Sequence, residues 1–353
     1  MRFGTFFFFQ APPGHPHADI IRRELEQIEW TEELGFDEAW LTEHHFIEYG
    51  LSVDPASLAA AAASRTRRIR IGLAAAILPF HHPLRLAEQM ALVDIISGGR
   101  LDVGVGRGNR PAEFRGYRVP QEQSRDRFDE AVEIMVRAWT EERFAYHGRF
   151  FQVPELSVIP KPVQQPHPPL YPVCVSKDAI IDTAPRGWPM LNSVLFGPVE
   201  QLVGNRDTYV ETLRKSGRGA EEIAALLARW GVTGQIYVAD TDARALADTK
   251  DAELWYQESF RRFVIPEQID EAHPTLQPGF RAMAERLATV TWEGLVRETL
   301  AFGSPDTVAR HIATMRDLAV GQVMCWMNFG GLSQARVRRS MELFAREVMP
   351  RFR

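Results

Sequence analysis

The feature that most constrains the fold is the regular alternation of short apolar runs with longer helical patterns along the whole chain. Such alternation is typical of repeated βα units arranged around a parallel sheet. Eight short runs are predicted as strands, at Phe3–Phe9, Ala39–Leu41, Ile69–Ile77, Leu101–Val105, Leu170–Val175, Pro189–Ser193, Thr233–Ala239 and Gln322–Asn328. Length alone does not separate two domains from one large barrel, but eight such units favour a single α/β fold of the (β/α)8 TIM-barrel type.

Helical patterns fill the intervals between the predicted strands. They fall at about Ile20–Leu34, Asp54–Arg65, Leu84–Ile96, Ser124–Glu142, Lys177–Arg186, Val199–Ser216, Asp242–Glu258, Ser304–Asp317 and Ser333–Val348. Two stretches break the rhythm, at about 144–172 and 260–291. The first contains a hairpin-like FAYHGRFFQV and seven prolines between positions 154 and 172, and the second has no clear period. We therefore expect one barrel domain over residues 1–353, with these two insertions.

Charge and cysteine content narrow the classes of function. The net charge of −5 gives no electrostatic reason to expect a nucleic acid or an anionic membrane as a partner. Cys174 and Cys325 lie far apart without a CxxC motif, which argues against a disulfide scaffold and a zinc site. We expect buried thiols in a reducing compartment. Because the chain shows neither a signal-peptide pattern nor an apolar run long enough to cross a bilayer, a cytoplasmic location is expected.

Two adjacent histidines stand at the end of the second predicted strand. The segment GFDEAWLTEHHFIEYG runs from Gly35 to Gly50, and Glu43, His44 and His45 follow its apolar run. In an α/β barrel the carboxyl ends of the strands carry the chemistry, which makes these side chains candidates for it. Because side chains alternate along an extended segment, His44 and His45 should point to opposite sides, which disfavours a metal pair. A histidine here either acts as a base near neutral pH or bonds a loop carbonyl.

A glycine-rich strand end supplies a second candidate site. The segment LDVGVGRGN follows the pattern GxGxxG only loosely, because Asn109 stands where the third glycine would be, and no helix is expected directly afterwards because Pro111 follows. Gly106 and Arg107 either admit a flat or phosphorylated ligand to the backbone or form a tight turn with an exposed cation. Ser176 and Ser193 end the next two predicted strands, so these serines could converge with Arg107 on one phosphate.

The helix predicted at 54–65 is unusually rich in alanine, with the run SLAAAAA from Ser57 to Ala63. Alanine is a good helix former, so the run could be no more than that. Small side chains also let another helix approach closely. A subunit interface on this helix is the alternative.

Several long stretches together resemble the bacterial luciferase-like flavin monooxygenases. In chain order they are GFDEAWLTEHHFIEYG, IGLAAAILPFHHPLRLAEQ, LVDIISGGRLDVGVGRG, RGWPM, GSPDTV and ELFAREVMP. The resemblance implies a (β/α)8 barrel that holds reduced flavin mononucleotide, FMNH2, at its strand ends. It also implies that oxygen adds to the flavin as a C4a-peroxide, which oxygenates a small organic substrate.

The same resemblance implies roles for individual residues. His44 matches the family's active-site histidine, a base or proton donor, and His45 matches its neighbour. Ala74-Ala75 matches a non-prolyl cis peptide beside the flavin ring, and Arg107 and Ser176 match contacts to the flavin phosphate. Three positions depart from the family pattern: Gly106 replaces a cysteine near the flavin ring, Val175 a glutamate at the phosphate site and Ala179 a nearby threonine.

The sequence thus predicts a two-component, FMNH2-dependent monooxygenase without a metal. Because no nicotinamide site is evident, a separate NAD(P)H:flavin reductase would have to supply the reduced flavin. A homodimer through the alanine-rich helix at 54–65 is expected. Two alternatives remain: a deazaflavin (F420)-dependent oxidoreductase on the same fold, and a catalytically silent flavin-binding partner subunit.

Overall fold

The computed structural model describes residues 1–195, 199–264 and 291–353. Within them, the strands in chain order are β1 Arg2–Phe7, β2 Glu38–Leu41, β3 Arg70–Leu73, β4 Ala76–Ile77, β5 Leu101–Gly106, β6 Phe144–His147, β7 Gln152–Leu156, β8 Leu170–Pro172, β9 Leu191–Ser193, β10 Gly231–Val238, β11 Ala301–Gly303 and β12 Gln322–Trp326. Each of the eight predicted runs overlaps at least one of these strands, and the run at 69–77 covers both β3 and β4, which confirms the predicted strand positions to within three residues.

Eight of the strands form a closed parallel ring. Hydrogen-bonded pairing runs from β1 through β2, β3, β5 and β8, and from β9 through β10 and β12 back to β1. A parallel bridge between Val173 and Leu191 closes the remaining gap between β8 and β9. The backbone N–H of Cys174 supports this closure by donating to the carbonyl of Leu191 at 2.8 Å. The predicted (β/α)8 barrel is confirmed.

The α-helices surround this ring. In the described residues they are α1 His17–Glu33, α2 Pro55–Arg65, α3 Pro83–Ser97, α4 Pro111–Tyr117, α5 Ser124–Thr140, α6 Lys177–Thr183, α7 Gln201–Lys215, α8 Ala220–Leu227, α9 Asp242–Val264, α10 Trp292–Glu298, α11 Pro305–Asp317 and α12 Gln334–Leu343. Side-chain caps define several starts: Asp54 accepts from the N–H groups of Ala56 and Ser57, and Ser304 accepts from Thr307.

One expectation about the helices is wrong. A helix, α4, does follow the glycine-rich strand end, and it begins at Pro111. Proline is favourable at the first helical position, where its missing N–H has no partner to lose. The helices α8 and α10 and the strand β11, which pairs with β10 outside the ring, were not predicted.

The two predicted insertions have different outcomes. In the insertion at 144–172, β6 and β7 form the expected antiparallel hairpin, and an extended stretch then leads to β8. Of the insertion at 260–291, Phe260–Val264 is the end of α9, and residues 265–290 lie outside the described part of the chain.

The amino-terminal end of the barrel is filled by a buried ionic cluster. Glu38 at the start of β2 pairs with Arg2 at 3.0 Å, and Asp102 in β5 accepts from Arg70 at 2.6 and 2.8 Å. Burial raises the pKa of Glu38 to about 7. Because these charges bind one another, this end of the barrel has a structural role, and the carboxyl end remains for a ligand.

Two further findings concern the chain as a whole. Cys174 and Cys325 are both free thiols buried in the core, as expected. Among the helices of the described residues, none is both long and apolar enough to cross a membrane.

Candidate active site

His44 lies just beyond the carboxyl end of β2, enclosed by aromatic rings. Its imidazole is parallel to the ring of Phe8 at a centroid distance of 5.6 Å and perpendicular to that of Tyr49 at 5.0 Å. The side chain is 16% exposed. Its backbone N–H donates to the carbonyl of Ser52 at 3.2 Å, which fixes the start of the loop. The ring is therefore held in one plane with a small part of its surface open.

A buried carboxylate from α4 orients His44. Glu113 Oε1 lies 3.4 Å from His44 Nδ1 and accepts from the backbone N–H of His45 at 3.1 Å. With the proton of the imidazole on Nδ1, facing Glu113, Nε2 is the nitrogen that can accept a proton. Glu113 is not among the residues predicted for the site, because α4 is not predicted from the sequence. A better signal was available in Pro111 followed two residues later by an acid, a pattern typical of a helix start.

His45 points away from His44, as predicted. Its Nε2 lies 2.9 Å from Glu43 Oε1, and its Nδ1 lies 2.9 Å from the hydroxyl oxygen of Tyr117. The side chain is almost fully buried. Because both nitrogens have protein partners, His45 acts on the site through Glu43 and Tyr117.

Glu43 connects three segments of the site. Its carboxylate accepts from the backbone N–H of Ile77 at 2.8 Å, from His81 Nε2 at 2.9 Å and from His45. Burial opposes ionisation of Glu43, but the hydrogen bonds from His45 and His81 outweigh it, and its pKa lies below the usual value. In His81, burial opposes the charged form, but the contact with Glu43 prevails and raises the pKa. Glu43, already a candidate from the sequence, links β2 to the segment after β3 through a contact with Ile77 that the sequence does not predict.

The segment between β3 and β4 contains the cis peptide that the resemblance implies, at Ala74-Ala75. It lies against the glycine-rich end of β5. A Cβ on Gly104 would lie 1.7 Å from the carbonyl oxygen of Leu73, so only glycine fits there. A Cβ on Gly106 would lie 3.2 Å from Ile77 Cδ1 and 3.5 Å from the Cβ of Ala75. The structure thus brings Ala75 and Gly106 together.

An open cleft lies beside Gly106, at the carboxyl ends of β5 and β8. Its volume is about 420 Å³ including the part open to solvent, and Arg107, Arg125 and Arg186 all line it. Arg125 pairs with Asp182, and Arg186 pairs with Asp129. Burial and the neighbouring charge of Arg125 lower the pKa of Arg107. A bound anion would relieve this repulsion and accept charge-assisted hydrogen bonds.

The two predicted serines do not line this cleft. Neither Ser176 nor Ser193 is among the described residues that line it, although Ala179, one turn after Ser176, is. The hydroxyl of Ser176 caps α6 by accepting from the N–H of Ala179 at 3.3 Å. That of Ser193 accepts from the N–H of Leu195 at 3.1 Å. Their convergence with Arg107 on one phosphate stays a prediction.

Arg125 and Arg186 were missed in the sequence analysis because both look like solvated helix cations. Only the ring closure brings α5 and α6 beside Arg107. In the part of the chain that the structure describes, no three His, Cys, Asp or Glu side chains are arranged to hold a metal ion.

Comparisons with known proteins identify relatives along nearly the whole chain. The sequence profile of luciferase-like monooxygenases matches residues 1–322. The alkanal monooxygenase alpha chain of the Kryptophanaron alfredi symbiont is 31% identical over 223 residues, which cover 63% of this chain and 62% of the relative. The oxygenase component of the flavin-dependent trigonelline monooxygenase of Acinetobacter baylyi is 24% identical over 371 residues, which cover 100% of this chain and 96% of the relative.

Solved structures share the fold of this chain. A monooxygenase from Streptomyces bottropensis superposes with a TM-score of 0.84 and 28% identity, and both chains are covered in full. The oxygenating constituent of 3,6-diketocamphane monooxygenase of Pseudomonas putida, solved with FMN, has a TM-score of 0.82 and 21% identity over 99% of this chain and 98% of that one. An F420-dependent secondary alcohol dehydrogenase shares the fold at a TM-score of 0.74 and 15% identity over 100% and 99% of the two chains.

Proposed function

Because this chain belongs to the luciferase-like monooxygenase family, we propose that it is the oxygenase component of a two-component system that uses reduced FMN and O2 to oxygenate a small organic substrate. One arrangement carries the proposal. At a single rim of the barrel, the His44–Glu113 pair stands at the end of β2 and the Arg107 cleft at the end of β5. A base and an anion site on one rim are what a phosphorylated redox cofactor and its substrate require.

The residues of the cleft fit FMN. The guanidinium groups of Arg107 and Arg125 suit a phosphate, and the missing side chain of Gly106 leaves room beside Ala75. In the proposal, Arg107, Ser176 and Ser193 hold the phosphate, and Ala74, Ala75 and Gly106 border the flavin ring. Reduced FMN would supply the electrons that activate oxygen.

The chain's own groups handle the proton. In the proposal, His44 takes a proton at Nε2 while Glu113 holds Nδ1–H and stabilises the charge that forms on the ring. His45 and Glu43 position the loop after β2 against Ile77. The aromatic rings of Phe8 and Tyr49 keep water from most of the imidazole, which strengthens the His44–Glu113 interaction.

Two rivals fit parts of the same site. A deazaflavin-dependent oxidoreductase would transfer hydride without oxygen. The F420-dependent dehydrogenase shares the fold, so this function remains an alternative. A silent partner subunit would need no oriented base, and the His44–Glu113 pair speaks against it. The Acinetobacter relative is named as an oxygenase component, which supports the two-component assignment and with it a separate reductase.

Oxygen uptake tests the assignment. The purified chain with FMN and NADH should consume little oxygen. With a generic NADH:flavin reductase added, substrate should be oxygenated only when the chain is present, because reductase, FMN and NADH alone consume oxygen without oxygenating the substrate. Rapid NADH oxidation by the chain alone would contradict the two-component assignment. Mixing the FMNH2-loaded chain with oxygen gives a second readout. Flavin reoxidation that matches free FMNH2 in every phase would favour the rivals, whereas a transient absorption found only with the protein supports the proposal.

We also propose that the chain forms a homodimer through α2 and α3. The two helices pack side by side, and Leu92, Ile95 and Ile96 on α3 are about half exposed. Ala60 and Ala61 on the neighbouring helix α2 are small and partly exposed. An exposed apolar surface next to small side chains suits a second copy of the same helix pair.

A further inference from the structure

A second proton-handling group lies on the same rim, apart from His44. The hydroxyl of Tyr117, at the end of α4, is 2.9 Å from His45 Nδ1, and His45 Nε2 is 2.9 Å from Glu43. Tyr117 is 41% exposed, whereas His45 and Glu43 are buried. A hydroxyl, an imidazole and a carboxylate in line, with the hydroxyl end open, is the general arrangement for activating an oxygen atom.

The hydrogen-bond pattern fixes where the protons lie. Despite its burial, the contacts with His45 and His81 and the N–H of Ile77 hold the pKa of Glu43 below its usual value, so Glu43 is ionised and can only accept. His45 therefore carries its proton on Nε2, toward Glu43. Its Nδ1 is then the acceptor for the Tyr117 hydroxyl, which leaves the phenol oxygen of Tyr117 with lone pairs directed outward.

Two phenylalanine rings lie against the ring of Tyr117. Phe80 stacks on Tyr117 at 5.0 Å, and Phe46 lies 5.3 Å away at a tilt of 48°. Phe46 is 65% exposed and has a backbone φ of 64°, in the left-handed region that a bulky residue rarely adopts. The three rings come from loops that follow β2, β4 and β5, on the carboxyl rim. They form an open aromatic wall with an acceptor oxygen at its edge.

Resting on the proposed oxygenase function, we propose that this wall binds a hydroxylated aromatic substrate and that Tyr117 removes the proton of the substrate hydroxyl. The substrate O–H bond breaks and its proton binds the Tyr117 oxygen, while the former Tyr117 proton moves to His45 Nδ1. The products are a substrate phenolate and an imidazolium paired with Glu43. No electrons are transferred in this step. A phenolate is richer in electrons than a phenol and therefore accepts an electrophilic oxygen atom more readily.

The charged groups around Tyr117, His45 and Glu43 are consistent with proton transfer from Tyr117 to His45. Burial raises the pKa of Tyr117, and the nearby carboxylates of Glu43 and Glu113 act in the same sense, so the hydroxyl keeps its proton at rest. His81, which faces Glu43 and lies near Asp54, has a raised pKa and shares the charge of Glu43. The carboxylate of Glu43 thus serves two histidines, and only His45 reaches Tyr117.

The test uses the full chain with oxidised FMN and the probe 4-nitrophenol, whose colour reports its ionisation. The wild type should bind 4-nitrophenol and ionise it at a lower pH than in free solution. Replacement Tyr117→Phe keeps the ring and should weaken 4-nitrophenol binding about tenfold, the value of one hydrogen bond, and abolish the ionisation shift. Nitrobenzene, which lacks the hydroxyl, should bind both proteins equally.

Tyr146→Phe is the matched control. Tyr146 lies on the β6–β7 hairpin, where its hydroxyl is 3.5 Å from Glu133 of α5, and this variant should behave as the wild type. Absence of 4-nitrophenol binding by the wild type, or an unchanged ionisation shift in Tyr117→Phe, would overturn the proposal. Equal losses for 4-nitrophenol and nitrobenzene would do so too, because they would indicate a packing role alone. The assay needs neither reduced flavin nor oxygen. Its failure therefore leaves the oxygenase function standing, whereas flavin reoxidation identical to that of free FMNH2, with an intact ionisation shift, overturns only that function.

Discussion

His44 and Glu113 are joined at a single atom pair, Nδ1 and Oε1, and this contact makes a prediction at the scale of one residue. His44→Ala should slow substrate oxidation with supplied FMNH2 by about 10²- to 10⁴-fold, the typical value of a positioned base. Glu113→Gln should slow it less, because the imidazole stays but loses its charged partner. FMN affinity should change little in either variant. The exposed neighbour Glu122, replaced by Gln, is the control, and unchanged turnover in His44→Ala would remove His44 from the mechanism.

Arg107 allows a second test at this scale, with a ligand pair as the discriminator. A charge-assisted hydrogen bond to phosphate is worth about 1.5–3 kcal/mol, so Arg107→Ala should weaken FMN binding by about ten- to a hundredfold. Riboflavin, which has no phosphate, should bind almost as before. Fluorescence titration of both ligands measures this, with Arg143→Ala on the hairpin as the control. If FMN and riboflavin lose affinity equally, Arg107 contacts something other than the phosphate.

The sequence placed some members of the site and not others, for physical reasons. His44 and Arg107 follow strands with strong apolar patterns, so their place on the rim follows from the barrel. Arg125 lies on a helix whose cations look solvated until the ring closure brings that helix beside Arg107. The position of Glu113 is harder to predict, because Pro111 two residues before it argues against a helix. Proline is nevertheless favoured at the first position of a helix, and α4 begins there.

At the scale of an element, α1 carries a buried acid that should make folding depend on pH. Glu24 accepts from the backbone N–H of Phe9 at 2.9 Å, and burial raises its pKa from 4.5 to about 8. Between these values the folded state holds a proton that the unfolded state has lost. The stability that Glu24 contributes is therefore full below about pH 4.5 and falls as the pH rises towards 8.

Glu24→Gln should remove this dependence, because the amide can still accept from Phe9 but does not titrate. From pH 5.5 to 7.5 the wild type should lose about 2–3 kcal/mol of unfolding free energy relative to the variant. Urea denaturation at the two pH values gives the difference. Glu26→Gln, on the exposed side of α1, should retain the wild-type dependence. Parallel curves for the wild type and Glu24→Gln would show that Glu24 does not titrate in this range.

The strands of the barrel were predictable because each is a short apolar run between turn signals. The strand and the helix that the sequence does not predict are short. Ala301–Gly303 has three residues and pairs only with β10, and Ala220–Leu227 has eight residues, too few for a period to stand out beside the longer helices. The hairpin at 144–156 was recognisable because aromatic residues flank its turn.

At the scale of the whole molecule, ring closure decides where the chemistry can lie. The sequence predicts eight parallel units, but it does not predict that the ring closes between two three-residue strands, β8 and β9, through the bridge of Val173 to Leu191 and the bond from Cys174 to Leu191. Nor does it predict that Glu38 and Asp102 fill the amino-terminal end with paired charges. Both features follow from contacts between residues far apart in sequence. Together they leave the rim of His44 and Arg107 as the open end.

Substitutions on the exposed apolar side of α3 test the proposed dimer. The chain should sediment as a dimer, and Leu92→Glu or Ile96→Glu should shift it to a monomer, because each would place a carboxylate in an apolar interface without a partner. Val203→Glu on α7, whose side chain is also exposed, is the control and should remain dimeric. Sedimentation velocity at several concentrations measures all four proteins. A monomeric wild type would contradict the dimer, and dissociation by Val203→Glu as well would place the interface elsewhere. Because α2 and α3 lie on the outside of the barrel, the monomeric variants should keep the FMN affinity of the wild type.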